Sequence, residues 1–153
     1  MPSHSESRIV PYTADFMFGI VADVEHYPEF VPWCVALRVL NRGRDGDRNT
    51  LVAETVVGFR NLRERYTSRV ILDSVARKVD VEQVEGVFRK LENHWRFTPE
   101  GADGKSCRID FSIVFEFKSR FLRAVAGNAF ALVVSRMTHA FETRARKLSE
   151  HLV

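Results

Sequence analysis

The side chains that carry acid–base, nucleophilic or metal chemistry are all present in this sequence, yet their spacing assembles none of the usual devices. Histidines stand at His4, His26, His94, His139 and His151, with no HExxH pair and no Cys/His ligand spacing. His94 takes the outward phase of its strand if Trp95 and Phe97 point inward, which makes it a solvated residue. His139 lies between Met137 and Phe141 on a helix, where a partly buried structural role is expected. Cys34 and Cys107 form no CxxC motif, and no base is placed to make Cys34 a nucleophile. A nucleophile elbow, a phosphate-binding glycine loop and a dinucleotide fingerprint are also missing. The expectation is a non-enzymatic protein with no catalytic residue, no metal and no redox cofactor.

Two segments are more informative. Asp23 to Cys34 holds Pro28 and Pro32 and carries Tyr27, Phe30 and Trp33. The prolines favour an extended loop, whose aromatics would serve as a plug for one end of the core and as an apolar lid over a pocket. Gly86 to Phe97 begins with a residue free to take positive φ. Alternation then puts Leu91, Asn93, Trp95 and Phe97 on one face, so that Asn93 becomes an amide among aromatics. A buried amide needs a partner, which backbone, water or a ligand carbonyl would supply.

The elements that must position these residues follow from patterning. A strand around Glu6–Val10 leads to Thr13, an N-cap with Asp15 in the first turn behind it, and to a helix from Ala14 to about Glu25. Strands follow over Cys34–Asn41, Thr50–Phe59, Arg63–Asp73, Arg77–Val84 and Leu91–Thr98, with hairpin loops at Gly43–Asp47 and Gly101–Gly104. The next strand is the clearest: Ile109, Phe111, Ile113, Phe115 and Phe117 point one way and Arg108, Asp110, Ser112, Glu116 and Lys118 the other, with Val114 breaking the alternation. From Ser119 to Glu150 the period is helical, and from Ala124 to Val134 the helix is apolar nearly all round. At 1.5 Å per residue that helix would be roughly 48 Å long, so it must overhang the sheet or bend, with Gly127-Asn128 as the expected place.

The predicted fold class is therefore α+β, a curved antiparallel sheet wrapped around a long C-terminal helix, with a hydrophobic cavity between them. Phe30, Trp33, Leu91, Trp95, Phe130, Val134 and Met137 are expected to bound that cavity, with Asn93, Phe97 and Phe141 beside them. With 153 residues, 45% of them apolar and 28% charged, a single domain over residues 1–153 is expected. A net charge of +3 and a pI of about 9.1 permit contact with an anionic membrane or with RNA and demonstrate neither. Two cysteines fit free thiols in a reducing compartment. The N-terminus has no apolar stretch, so no signal peptide is expected, and no run approaches the ~20 apolar residues of a membrane span. A cytoplasmic protein is expected, at most peripheral at the inner face of the cytoplasmic membrane. Arg120, Phe121, Leu122 and Arg123 pair apolar side chains with cations and are the expected membrane contact.

Both informative segments carry a resemblance. The blocks Val10-Pro11-Tyr12-Thr13-Ala14-Asp15, Asp23-Val24 through Tyr27-Pro28-Glu29-Phe30 to Pro32-Trp33-Cys34, and Gly86 to Phe97 resemble the coenzyme Q-binding START-domain family, whose bacterial branch is also named for a ribosome-association toxin. The phenylalanine-alternating strand and the Met137–Phe141 region match as well, and the similarity covers nearly the whole chain. Val87 departs from it, standing where bacterial members often have proline. The resemblance implies the helix-grip fold of the polyketide cyclase/lipid-transport superfamily. It also implies non-catalytic binding of ubiquinone or a related isoprenoid lipid, as a carrier supporting respiratory electron transport. Two alternatives travel with it: a ribosome-associating, toxin-like protein, and, by superfamily analogy alone, a polyketide aromatase/cyclase. DNA is not an expected partner. The residues themselves do not distinguish a quinone from a fatty acid or another lipid.

Overall fold

Alternation along one strand sets the architecture. In the computed structural model, which describes residues 3–150, β7 (Ser106–Phe117) buries Cys107, Ile109, Phe111, Ile113, Phe115 and Phe117 on one face, as the sequence pattern requires. Around it stand β1 (Ser3–Val10), β2 (Cys34–Asp45), β3 (Arg48–Phe59), β4 (Leu62–Asp73), β5 (Lys78–Gly86) and β6 (Phe88–Glu100). All pair antiparallel in the order β1-β7-β6-β5-β4-β3-β2. Register shifts interrupt the β2–β3, β4–β5 and β6–β7 ladders. Such irregularities sharpen twist and bend a strand, and they let the sheet curl into a trough.

The chain from β1 crosses to β2 through α1 (Ala14–Ala22) and a 3-10 helix over Val24–Glu29. Thr13 caps α1 as expected, its Oγ1 accepting from the Phe16 N–H at 3.1 Å. Met17, Ile20 and Val21 are buried, and the helix lies against β5, β6, β7 and the C-terminal helix. The expected continuation of α1 to Glu25 and the extended loop beyond it are both corrected: α1 stops at Ala22 and the chain tightens into the 3-10 turn, with Pro28 inside. A proline φ near −65° suits 3-10 dihedrals, so Pro28 fits inside the turn without forcing an extended chain. The Tyr27 hydroxyl donates to the Val21 carbonyl and ties this turn to the end of α1.

The expected single C-terminal helix is also corrected. The segment is helical, but it is divided into α2 (Arg120–Ser135) and α3 (Met137–Glu150), and the break falls at Arg136 rather than Gly127-Asn128. The Arg136 N–H turns back to the Val133 and Val134 carbonyls instead of one four residues earlier. Ser135 Oγ donates to the Leu132 carbonyl at 2.6 Å. Such back-bonding after two β-branched valines loosens a helix, whereas Gly127 continues α2 without interruption. The Ser119 hydroxyl caps α2 by accepting from the Leu122 N–H. The edge strand β1 holds α3: Thr138 Oγ1 donates to Glu6, and Arg8 pairs with Glu142 at 2.9 Å. No helix among the described residues is long and apolar enough to cross a membrane.

Two glycines make opposite predictions. Gly86 has φ +139°, and a Cβ there would sit 2.5 Å from the Tyr66 Cα, a backbone atom that cannot move aside. Gly86→Ala should cost at least about 1–3 kcal/mol in urea unfolding. A Cβ on Gly127 meets nothing within 4 Å. Gly127→Ala should stabilise by about 0.5–1 kcal/mol.

Candidate functional site

The trough becomes a site through the sizes of the side chains on its floor. Ala53 on β3 faces Ser68 on β4, and Thr55 faces Tyr66. These inward residues, with Asn93 on β6, leave a hollow where paired leucines would close it. A cavity of about 40 Å³ remains, walled by Trp33, Met137, Trp95, Tyr27, Val70 and Val81 among others. A water molecule's share of liquid volume is about 30 Å³, and small-ligand pockets usually run from roughly 300 Å³ upward. In this conformation the trough is filled almost entirely by its own side chains.

The expected lining residues divide accordingly. Trp33, Asn93, Trp95 and Met137 line the cavity. Phe141 lies behind Trp95, ring centroids 4.9 Å apart, and also meets Tyr27 and Phe30 at 5.2 and 5.0 Å. Phe30 is a plug at that end, stacked under Arg144. Phe97 continues the aromatic row outward from Trp95 to Phe18 on α1. Phe130 packs on Trp33, Phe88, Phe115 and Phe117 beneath α2. Leu91 and Val134 are buried in the core but do not line the cavity.

The polar groups on the floor were only partly anticipated. Asn93 finds its partners within the protein: its amide nitrogen donates to the Ser112 carbonyl at 2.9 Å, and its oxygen accepts from the Trp95 indole at 3.0 Å. The Trp33 indole donates only to the Met137 sulfur, at 3.4 Å, a weak acceptor that a ligand oxygen would outbid. Thr55, Tyr66 and Ser68 were not singled out by sequence reasoning. The outward Glu54, which sets the phase of β3, was the signal that could have found Thr55. Burial holds the Tyr66 and Tyr27 hydroxyls well above the ordinary tyrosine range, so both are neutral donors.

Among the described residues, no carboxylate, histidine or lysine lines the cavity. Burial pushes the Cys34 thiol up to about 12 and Cys107 up to about 11, so neither supplies a thiolate at neutral pH. His94 is outward as expected and pairs with Asp80 at 2.6 Å, whereas His139, expected to be partly buried, is exposed. His151 lies outside the described residues. Among the described residues no cluster of His, Cys, Asp or Glu could hold a metal ion. A larger depression of about 620 Å³ lies on the convex face of β1, β7, β6 and β5, edged by His94 and by the charged Lys78, Asp80, Arg96 and Asp110. Its open, charged rim does not suit an apolar ligand.

At the other end of α2 the expected membrane contact is split. Phe121 is 63% exposed and Arg120 points to solvent, whereas Leu122 is buried and Arg123 pairs with Glu116 at 3.1 Å.

Comparison with known proteins agrees with this architecture. A family model described as "Polyketide cyclase / dehydrase and lipid transport" matches residues 10–142. The ribosome association toxin RatA of Escherichia coli K12 is 32% identical over 97% of this chain and 89% of its own length. The mitochondrial coenzyme Q-binding protein COQ10 homolog B of Xenopus laevis is 37% identical over 95% of this chain, which spans 58% of that protein. The solution structure of an 18 kDa protein from Caulobacter crescentus is 40% identical, with a TM-score of 0.77 over 98% of this chain and 99% of that one.

The 3-10 turn that brings Tyr27 and Phe30 over the core carries a titratable latch. His26 lies 2.6 Å from Asp23 and 3.8 Å from Glu29, and the hydrogen bond to Asp23 raises its pKa. A raised folded-state pKa stabilises the fold fully below the unfolded value near 6.5, and that contribution is lost as pH rises through the folded value. His26→Ala should therefore lower the thermal midpoint at pH 5.5 and leave it unchanged at pH 9. Equal losses at both pH values would contradict the latch.

Proposed function

This chain belongs to the polyketide cyclase/dehydrase and lipid transport family, and we propose that it is a non-catalytic carrier of a hydrophobic ligand, ubiquinone or a related isoprenoid lipid, held in the trough between sheet and α2–α3. The observation that carries this reading is the cavity floor. Hydrogen-bond donors from the Trp33 indole and the Tyr66, Thr55 and Ser68 hydroxyls stand within walls that are otherwise aromatic and aliphatic. A quinone presents two carbonyl acceptors on a ring and an apolar tail, and it matches that distribution. The coenzyme Q-binding relative supports the choice of quinone over other lipids.

The reading requires motion. A cavity near 40 Å³ cannot hold a quinone ring, so the ligand must displace side chains or lift α2. The break at Arg136 leaves α2 free to move separately from α3, which β1 anchors. The neutral floor supports the non-catalytic reading: among the described residues no carboxylate, histidine or lysine lines the cavity to serve an aromatase/cyclase as acid or base. A carrier of long chains must also visit a bilayer, because each buried CH₂ contributes ~0.8 kcal/mol to remaining in an apolar phase.

Titration of the detergent-free protein with a short-chain ubiquinone should quench tryptophan fluorescence with saturation. Trp95→Ala should weaken binding at least tenfold in the folded fraction, beyond the ~3–5 kcal/mol of stability such a core truncation costs. Unchanged affinity in the folded Trp95→Ala protein would assign Trp95 to the core alone.

A further inference from the structure

Cations stand at both ends of the sheet. At the end with the β2–β3, β4–β5 and β6–β7 turns, Arg44, Lys78 and Lys105 form no ion pair among the described residues, and the other cations are interleaved with acids. Arg48 pairs there with Asp45 at 2.8 Å, Arg77 with Asp15 at 2.7 Å, and Arg108 with Glu100 and Asp110. At the opposite end, Arg60 and Arg63 on the β3–β4 turn, Arg89 at the start of β6, and Lys118 and Arg120 at the β7–α2 junction form no ion pair among the described residues. Backbone bonds tie this rim together: the Val87 N–H donates to the Arg65 carbonyl, and the Lys118 N–H to the Val87 carbonyl. Arg63 donates to the Arg60 and Leu62 carbonyls and Arg60 stands over the Phe59 ring, but like charges gathered without a paired carboxylate favour a polyanion.

The same rim is apolar where a folded protein would ordinarily be polar. Phe121 is 63% exposed and Val125 47% exposed on the outer side of α2. Between α2 and the β3–β4 turn runs a groove lined by Phe59, Leu62, Phe117, Leu122, Ala126 and Phe130, with Glu64 as the one charged wall residue among those described. A nucleic acid would engage the cations and leave these side chains in water. A bilayer offers anionic headgroups to the cations and its acyl boundary to Phe121 and Val125.

We propose that this rim docks on an anionic lipid bilayer through two prongs, the β3–β4 turn and the first turns of α2, and that the groove between them is the port to the trough. The port half rests on the lipid-carrier reading above. Phe130 is the side chain between the two spaces: it lines the groove and packs 5.9 Å from Trp33, which lines the inner cavity. Rotation of Phe130 together with a small lift of α2 joins them.

The full chain is mixed with sedimentable phosphatidylcholine vesicles, with or without phosphatidylglycerol, at low and high salt. Wild type should bind phosphatidylglycerol vesicles at least tenfold more strongly than pure phosphatidylcholine at low salt, and lose that preference at high salt. Arg60→Glu/Arg63→Glu, on the prong remote from α2 in sequence, should reduce binding about tenfold or more. Arg44→Glu/Lys105→Glu at the opposite end should leave it unchanged. Wild-type-like binding by Arg60→Glu/Arg63→Glu, or equal effects of the two reversals, would overturn the docking surface. So would loss of ribosomal RNA binding in Arg60→Glu/Arg63→Glu when wild type ignores both vesicles. Leu62→Phe, or Ala126→Leu if the first variant misfolds, should slow quinone uptake from vesicles at least fivefold when rates are compared at equal amounts of vesicle-bound protein; uptake at the wild-type rate overturns the port. Quinone quenching in solution separates the two readings. Vesicle binding without quinone binding refutes the carrier and leaves the docking surface, and quinone binding without vesicle binding does the reverse.

Discussion

The concave face of the sheet is the constraint on which the rest of the molecule depends. Strands from β3 to β7 turn apolar side chains to one side, and bulges curl that side into a trough that water would otherwise fill. Everything else is cover. α1 closes the β5–β7 side, the 3-10 turn closes one end with Tyr27 and Phe30, and α2–α3 lie along the length. Phe141 joins three of these parts, touching Trp95 on the floor and Tyr27 and Phe30 in the plug. Aromatic pairs of this kind contribute ~0.5–1.5 kcal/mol each beyond the area they bury.

Cover of this kind need not be equally firm everywhere. α3 is held to β1 by Glu6–Thr138 and Arg8–Glu142 and to the plug by Arg144–Glu29. α2 has Arg123–Glu116, at its first turn, and is otherwise held by apolar contacts, with Leu122, Ala126 and Val134 buried and Phe130 on the rings of Phe115 and Phe117. Ring contacts re-form in many geometries, whereas ion pairs and hydrogen bonds fix one. On the proposed function, the break at Arg136 lets α2 shift while α3 stays in place. The hollow over Ala53, Ser68 and Thr55 lies beneath that cover, against Trp33 and Met137. On the proposed function, a nearly filled trough is the resting state of a carrier whose own side chains stand in for its cargo.

How much of this the sequence disclosed depends on the range of the interactions involved. The β7 phase was legible because Phe111, Phe115 and Phe117 alternate with Asp110, Ser112 and Glu116 within one strand. The Thr13 cap was legible because a cap acts over three residues. The order of elements and the curved sheet against C-terminal helices followed from such local signals. The break at Arg136 was not legible, because the glycine at 127 looked weaker than a Val-Val-Ser run whose effect lies in side-chain back-bonding. The 3-10 turn around Pro28 was missed because proline forbids continuing an α-helix without specifying what replaces it. Of the anticipated lining residues, Trp33, Asn93, Trp95 and Met137 meet at the cavity, while Leu91, Phe130 and Val134 share their inward phase but lie elsewhere along the trough. Thr55, Tyr66 and Ser68 complete the floor through cross-strand register, which no single segment encodes. Cavity size is a small difference between large packed volumes, and it belongs to the assembled core alone.

The central claim is that the trough opens to hold an isoprenoid quinone, and the most direct measurement is native mass spectrometry of the protein purified without detergent, followed by analysis of its organic extract. A bound species at one ligand per chain is expected, its extract containing ubiquinone or a related isoprenoid lipid, and it should be lost when Ala53→Phe fills the hollow in a protein that still folds. A bare chain mass after gentle purification, with no lipid in the extract and none acquired on incubation with quinone, would contradict it.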